Sequence, residues 1–257
     1  MQIALTIAGS DSGGGAGIQA DLKTFHRFGV FGTSVVTAIT AQNTLGVTAW
    51  QPVEPSLVEA QIDAVAADLR PAAVKSGMLG EAAVVRAVAA AIRRHAIAPY
   101  ILDPVMVATS GDLLLTEGAV GAIVDELLPL ATLVTPNLDE ATILVGEPVL
   151  DVAGMERAAR ALVERGAGAA LVKGGHLTGS DAVDVLFDGE LRCFTHPRIA
   201  TTSTHGTGCT LSAAVAAHLA RGHGLRDAVA QSLDYVHRAI ATAPRLGGGN
   251  GPLNHFA

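Results

Sequence analysis

The stretch Ile3-Ala4-Leu5-Thr6-Ile7-Ala8-Gly9-Ser10-Asp11-Ser12-Gly13-Gly14-Gly15 decides how this chain is read. An apolar run enters a glycine-rich loop without polar alternation, which is the pattern of a strand buried on both faces. Residues 18–28 follow with Ile18, Leu22 and Phe25 on one helical face, and Gly29 stops the helix. Residues 33–40, rich in Val, Thr and Ile, form the next predicted strand. A strand, a helix and a second strand in that order make the unit of a parallel sheet.

Working outward, the alternation continues. Strands are predicted at residues 73–78, 100–105, 133–135 and 169–173. Helices are predicted at 55–69, 82–95, 117–130, 139–145, 151–165, 208–220 and 225–243. The helix from Pro55 has its stripe on Leu57, Ile62, Val65 and Leu69. Residues 183–187 and 191–194 flank Asp188-Gly189-Glu190, a hairpin signal. The expectation is an α/β protein with a mostly parallel central sheet covered on both faces, and an antiparallel hairpin at one edge. No fixed-period repeat and no Pro-, Gly- or Ser-rich linker divides the chain, so residues 1–257 read as a single domain.

Composition narrows the function classes. The chain is 49% hydrophobic, 16% charged and carries a net charge of -7. There is no basic stripe of the nucleic-acid kind, so a small-molecule partner is favoured. Stretches such as residues 82–92 are too short to cross a bilayer. Cys193 and Cys209 form neither a disulfide framework nor a metal spacing, and the first residues lack a basic leader. A reducing cytoplasm is the expected compartment.

In open α/β sheets ligands bind beyond the carboxyl ends of the strands. Thr204-His205-Gly206-Thr207-Gly208-Cys209-Thr210 is the most informative loop. Its glycines let successive amides point to one place, and the helix behind adds its positive end, giving an anion site. Cys209 falls in the first turn, where a helix N-terminus is expected to lower the thiol pKa. A plain turn with a buried, inert cysteine is the competing reading.

Other loops carry less. Gly13-x-Gly15 and Gly17 lack the G-x-G-x-x-G spacing and the acid at the second strand end; their plain reading is a flexible loop. No G-x-x-x-x-G-K-[ST] is present. Asp103, Asn137 and Glu140 offer hard oxygen donors for Mg²⁺, although Asn137 and Glu140 also fit a helix-capping pair. Lys173, before Gly174-Gly175, is either a phosphate partner or a solvated strand-end charge. Gln42 offers an amide for a heterocycle edge or is a surface turn residue. Met78 is core or the wall of a flat ring pocket. His26, His95, His218 and His237 lie in predicted helices at no metal spacing.

Taken together and in order, Ala8-Gly9-Ser10-Asp11-Ser12-Gly13-Gly14-Gly15-Ala16-Gly17-Ile18-Gln19-Ala20-Asp21, Ala41-Gln42-Asn43-Thr44, Lys75-Ser76-Gly77-Met78-Leu79, Asp103-Pro104-Val105-Met106, Thr135-Pro136-Asn137, Lys173-Gly174-Gly175-His176 and His205-Gly206-Thr207-Gly208-Cys209-Thr210 closely resemble the bacterial hydroxymethylpyrimidine/phosphomethylpyrimidine kinase family. That family is the thiamine-pathway branch of the ribokinase-like superfamily, and the match covers nearly the whole chain.

The resemblance implies a ribokinase-like three-layer α/β/α sandwich. It also implies ATP-dependent phosphorylation of 4-amino-5-hydroxymethyl-2-methylpyrimidine, and then of its monophosphate. Gly206, Thr207 and Gly208 would form the anion hole and Cys209 would take the hydroxyl proton. Asp21, Gln42, Met78, Ala16 and Val105 match pyrimidine-pocket positions. Lys173, with Thr204, Gly206 and Gly208, would meet ATP, and Asn137, Glu140 and Asp103 would serve Mg²⁺. A homodimer follows from superfamily habit.

The segment Ala200-Thr201-Thr202-Ser203 departs from the family, which has a Lys-Asn pair before the threonine; nucleotide contacts there are in question. The tail from Arg245 to Pro252 matches the family's glycine-rich ending near the nucleotide. The competing functions are a pyridoxal or pyridoxine kinase, a non-catalytic pyrimidine-binding regulator, and, on the early glycines alone, a dinucleotide-dependent oxidoreductase.

Overall fold

The computed structural model describes residues 1–106, 115–116, 118–175 and 177–257. The predicted helix start at Glu117 and the matched His176 lie outside the described residues.

One nine-stranded sheet runs in the order β3-β2-β1-β4-β5-β6-β7-β8-β9. Its strands are β1 (Ile3–Ser10), β2 (Phe31–Asn43), β3 (Gly46–Pro52), β4 (Ala73–Ser76), β5 (Tyr100–Leu102), β6 (Leu133–Val134), β7 (Ala170–Lys173), β8 (Asp181–Phe187) and β9 (Leu191–Pro197). β2, β1, β4, β5, β6 and β7 pair in parallel. The predicted hairpin is β8–β9, antiparallel at one edge.

Antiparallel pairing also occurs at the other edge, between β2 and β3, which corrects the expectation of a single antiparallel edge. The sequence reading placed no strand at residues 46–52. β3 is an edge strand with mostly exposed or half-exposed residues, so it has no buried stripe to show in the sequence.

The helices are α1 (Gly17–Arg27), α2 (Pro55–Asp68), α3 (Ala82–His95), α4 (Ala119–Ala122), α5 (Leu138–Val145), α6 (Val152–Glu164), α7 (Thr207–Ala220) and α8 (Leu225–Ala241). They form two layers. Val58, Ile62, Val84, Val88, Leu144 and Met155 from α2, α3, α5 and α6 pack with Leu5 and Ile7 on one face. Phe25, Leu211, Val215 and Val229 from α1, α7 and α8 pack with Ala4 on the other. Successive residues of β1 therefore serve opposite cores, as strand geometry requires.

Two expectations for the helices need correction. The core face of α2 is Val58 and Ile62; Leu57 is 56% exposed. The helix predicted to 130 is not one α-helix. Pro129 supplies no N–H, and the ladder slips through a π turn over Ile123–Leu127 and a 3₁₀ turn over Leu128–Leu130. The strand expected at residues 100–105 ends at Leu102, because Pro104 cannot continue the pairing.

β1 is flanked by β2 on one side and β4 on the other, so the strand order reverses there. The carboxyl ends of β1, β4, β5 and β7 thus open on one crevice.

Candidate active site

The loop between β1 and α1 is not flexible filler, which corrects its plain reading. Buried Asp11 accepts the amides of Gly13, Gly15 and Ala16 at 2.8–2.9 Å. His205 Nε2 lies 2.9 Å from Asp11 Oδ2. Burial would raise the Asp11 carboxyl, but the bond and charge of His205 and the amides outweigh it and hold the group below the usual carboxylate range. Asp11 and His205 therefore join the first glycine loop to the anion loop. The sequence reading gave neither a role, since partners so far apart in the chain leave no local pattern.

The two loops touch through backbone. Gly206 has φ +81°, and a Cβ there would sit 1.9 Å from Gly15 O. Gly206 caps α7, so Gly208 and Cys209 present first-turn amides without intrahelical acceptors, while the Thr207 amide donates to Thr204 O at 3.2 Å.

Lys173 closes the same space. It is not a solvated strand-end charge: its side chain is 15% exposed and Nζ donates to Asp103 Oδ1 at 3.1 Å, with Glu140 Oε2 at 4.0 Å. A Cβ on Gly208 would lie 3.0 Å from that Nζ. Burial works against the ammonium, but Asp103 and Glu140 raise its pKa. Asp103 is itself buried and accepts from Thr135 Oγ1 at 3.2 Å and Ser212 Oγ at 3.1 Å. Burial pushes its carboxyl up, yet Lys173 and Lys75 with these bonds bring it below the ordinary value.

Asn137 and Glu140 form the capping box of α5, so the bland reading is realised. Asn137 Oδ1 accepts from Glu140 N at 2.9 Å, and Glu140 Oε2 accepts from Asn137 N at 2.8 Å. Burial drives the Glu140 carboxyl up to about 7, against the pull of Lys173. Carboxylates keep further lone pairs, and Asp103 and Glu140 meet at Lys173, so the donor chemistry fits a hard cation reached through water. Among the described residues no cluster of three or more His, Cys, Asp or Glu could hold a metal unaided. Magnesium here would draw its other ligands from a nucleotide's phosphates.

Cys209 overturns one expectation. It sits in the first turn of α7 as predicted, but its thiol is pushed up to about 11 rather than down. Burial is the larger influence; Asp21 and Asp103 add to it, and Lys75 with the Gly17 amide only partly offset it.

The expected heterocycle positions gather beside this loop. Met78 packs with Ala38, Trp50 and Val105 in a small apolar cluster. Trp50 lies on the strand the sequence reading missed. A Cβ on Gly9 would be 3.1 Å from Met78 Sδ, so the glycine leaves that side chain its place. Gln42 is half-buried, its amide 3.5 Å from His205 Nε2. Ala16 is the cap residue of α1. Asp21 is fully buried, its carboxylate taken by Lys75 and Thr6, so it lies behind the crevice wall. Next to the anion loop, a cavity of about 610 Å³ is lined by Ala200, Thr201, Ser203, Arg245, Gly247 and Gly251 among others.

A parallel sheet with a strand-order switch, an anion-binding helix start and a buried lysine against it define a ribokinase-like phosphotransferase fold. Residues 11–254 match the family described as phosphomethylpyrimidine kinase, and the chain belongs to that family. The hydroxymethylpyrimidine/phosphomethylpyrimidine kinase of Rhizobium meliloti strain 1021 is 55% identical, over 99% of this chain and 97% of that one. Among solved structures, an ADP complex of Bacillus subtilis pyridoxal kinase is 36% identical with a TM-score of 0.92, covering 99% of this chain and 97% of that one. A phosphomethylpyrimidine kinase from Clostridium difficile 630 is 39% identical with a TM-score of 0.84, covering 93% of this chain and all of that one (100%). Among the described residues, no helix is long and apolar enough to cross a membrane.

Proposed function

We propose that the chain phosphorylates the hydroxymethyl group of 4-amino-5-hydroxymethyl-2-methylpyrimidine with ATP and then phosphorylates the monophosphate again, in thiamine diphosphate biosynthesis. The observation that carries the mechanism is Lys173, held by Asp103 with its ammonium against Gly208. A fixed cation beside converging amides suits a phosphoryl group that spreads its charge in transit.

In this reading Gln42, Met78, Val105 and the backbone at Ala16 bind the pyrimidine, and Asp21 supports that wall from behind. The triphosphate lies along Thr204, Gly206, Gly208 and Lys173. The nucleoside extends into the cavity between residues 200–203 and the tail from Arg245; the cavity's position beside the anion loop supports this. Asp103, Asn137 and Glu140 would hold Mg²⁺, which would supply charge neutralisation at the phosphates.

The substrate oxygen attacks the γ-phosphorus, the bond to the β,γ-bridging oxygen breaks, and ADP leaves with that electron pair. Cys209 accepts the hydroxyl proton. Its thiolate is scarce near neutrality, and a loose transition state in which the proton leaves late suits such a base.

The reading includes a cytoplasmic homodimer. Free Cys193 and Cys209 support the compartment, and exposed Ile39 and Leu45 beside the β2–β3 edge offer apolar contact for a second copy.

The test is incubation with ATP, Mg²⁺ and hydroxymethylpyrimidine, following products by mass-resolved chromatography, with pyridoxal in parallel. Successive monophosphate and diphosphate are expected. Faster reaction on pyridoxal would move the substrate to the pyridine ring, and no transfer to either would reject the kinase reading.

A further inference from the structure

The anion loop, residues 206–209, is flanked by His205 and Thr210, and the tail of the chain holds both flanks. The His205 amide donates to Gly251 O at 3.1 Å. The Thr210 hydroxyl lies 3.2 Å from His255 Nε2. His205, Thr210, Gly251 and His255 are all buried. Thr24 and Ser232 return their hydroxyls to carbonyls of their own helices, α1 and α8. Thr210, in the first turn of α7, finds a partner in the tail.

The tail is itself anchored. On α8, Tyr235 Oη donates to His255 O at 3.0 Å, and Ala239 O accepts the Asn254 amide at 3.1 Å. Asn254 Nδ2 donates to Thr242 Oγ1 at 3.1 Å. On α1, Arg27 Nε donates to Ala257 O at 2.9 Å. Leu253 is buried between these contacts. α7 packs on the same two helices. Burial, with Lys23 nearby, lowers the His255 ring to about 4, so the ring is neutral near pH 7 and can share a proton with the hydroxyl as donor or acceptor.

We propose that residues 251–257 form a strap that fixes the anion loop from both ends, with His255 as a positioning residue. Gly251 holds the entry to the loop through the His205 amide, and His255 holds the start of α7 through Thr210. Groups that must converge on a moving phosphoryl tolerate little displacement: about 1 Å can cost two orders of magnitude in rate. The proposal rests on residues 206–209 as the phosphoryl site, and its test includes a readout that needs no turnover, so the two ideas fail separately.

The experiment compares the full chain with Thr210→Val, Thr210→Ser, His255→Leu and the double variant Thr210→Val/His255→Leu. It measures turnover with ATP and hydroxymethylpyrimidine, and deuterium uptake by the backbone amides of residues 204–212. Thr210→Val and His255→Leu should each lower kcat about tenfold, with KM for the pyrimidine within about twofold of the unaltered value. The double variant should be no slower than the slower single one, because all three remove the same bond. Thr210→Ser keeps the hydroxyl and should restore kcat. Deuterium uptake in Thr210→Val should run about fivefold faster, the ratio that one buried hydrogen bond sets. Ile62→Ala, a core change on the opposite face of the sheet, should lower the melting temperature and leave kcat unchanged. An unaltered kcat in folded Thr210→Val overturns the proposal, as does an equal loss in Ile62→Ala. If His255→Leu does not fold, the nearly isosteric Thr210→Val carries the test. If the unaltered protein phosphorylates neither ring, the kinase reading falls, and unchanged deuterium uptake in Thr210→Val would still overturn the strap.

Discussion

His205 and Asp11 meet at 2.9 Å although 194 residues separate them, and their contact holds two glycine loops in one register. Asp11 alone satisfies three backbone amides of its loop. Asp11→Ala strips acceptors from buried donors, so it should lower unfolding free energy by ~3 kcal/mol in chemical denaturation. Asp11→Asn should lose less. Because the folded carboxyl lies below its unfolded value, its contribution is complete above the unfolded pKa and is lost as pH falls through the folded one. Unchanged denaturation midpoints for Asp11→Ala would count against the clamp.

Cys209 should govern turnover rather than binding. Cys209→Ala should reduce kcat by about two orders of magnitude with little change in KM. With the thiol at about 11, the thiolate fraction grows tenfold per pH unit below that value, so kcat/KM should climb from pH 7 to 10. The alanine variant should show a flat profile over that range. A flat profile in the unaltered enzyme would remove the thiol from the proton path.

Asn137 and Glu140 serve a helix and, in the proposed reaction, a cation. Asn137→Ala should cost about 1 kcal/mol of stability, the usual value of a lost N-cap. Glu140→Gln retains size and the acceptor for the Asn137 amide while removing the charge. It should raise the Mg²⁺ concentration for half-maximal rate about tenfold with the melting temperature nearly unchanged. A normal magnesium response would confine the pair to capping.

His218 is buried in α7 with neither ring nitrogen hydrogen-bonded, against Phe28 and His223. Burial, with His223 and Arg221 nearby, lowers its pKa to about 4. The folded state thus prefers the neutral ring. Its contribution is complete above pH 6.5 and is lost progressively toward pH 4, by on the order of 2 kcal/mol. His218→Leu should therefore be as stable as the unaltered protein, or more so, at pH 7, and should gain further at pH 5. Equal acid sensitivity in the two proteins would show that other groups set it.

The parallel centre of the fold was legible because its strands are continuous apolar runs and its helices carry apolar stripes, as at Ile18, Leu22 and Phe25. The site's loops were legible because parallel topology sends them all to one end. What escaped lay in long-range or weakly patterned contacts. β3 buries too little to show alternation, and with it Trp50 was missed. Asp11 and Lys75 stand within recognisable motifs, but their partners come from elsewhere in the chain. The Cys209 thiol was read from helix position alone, when desolvation by burial is the larger effect.

The tail ties distant parts of the chain to one place. Gly247 and Gly249 lie against Thr44, Gly251 against Ser203, and His205 pairs with Pro252. A side chain at Gly247 or Gly249 would collide with Thr44, so any residue larger than glycine there would push the tail away from the turn after β2 and reshape the cavity that these glycines line.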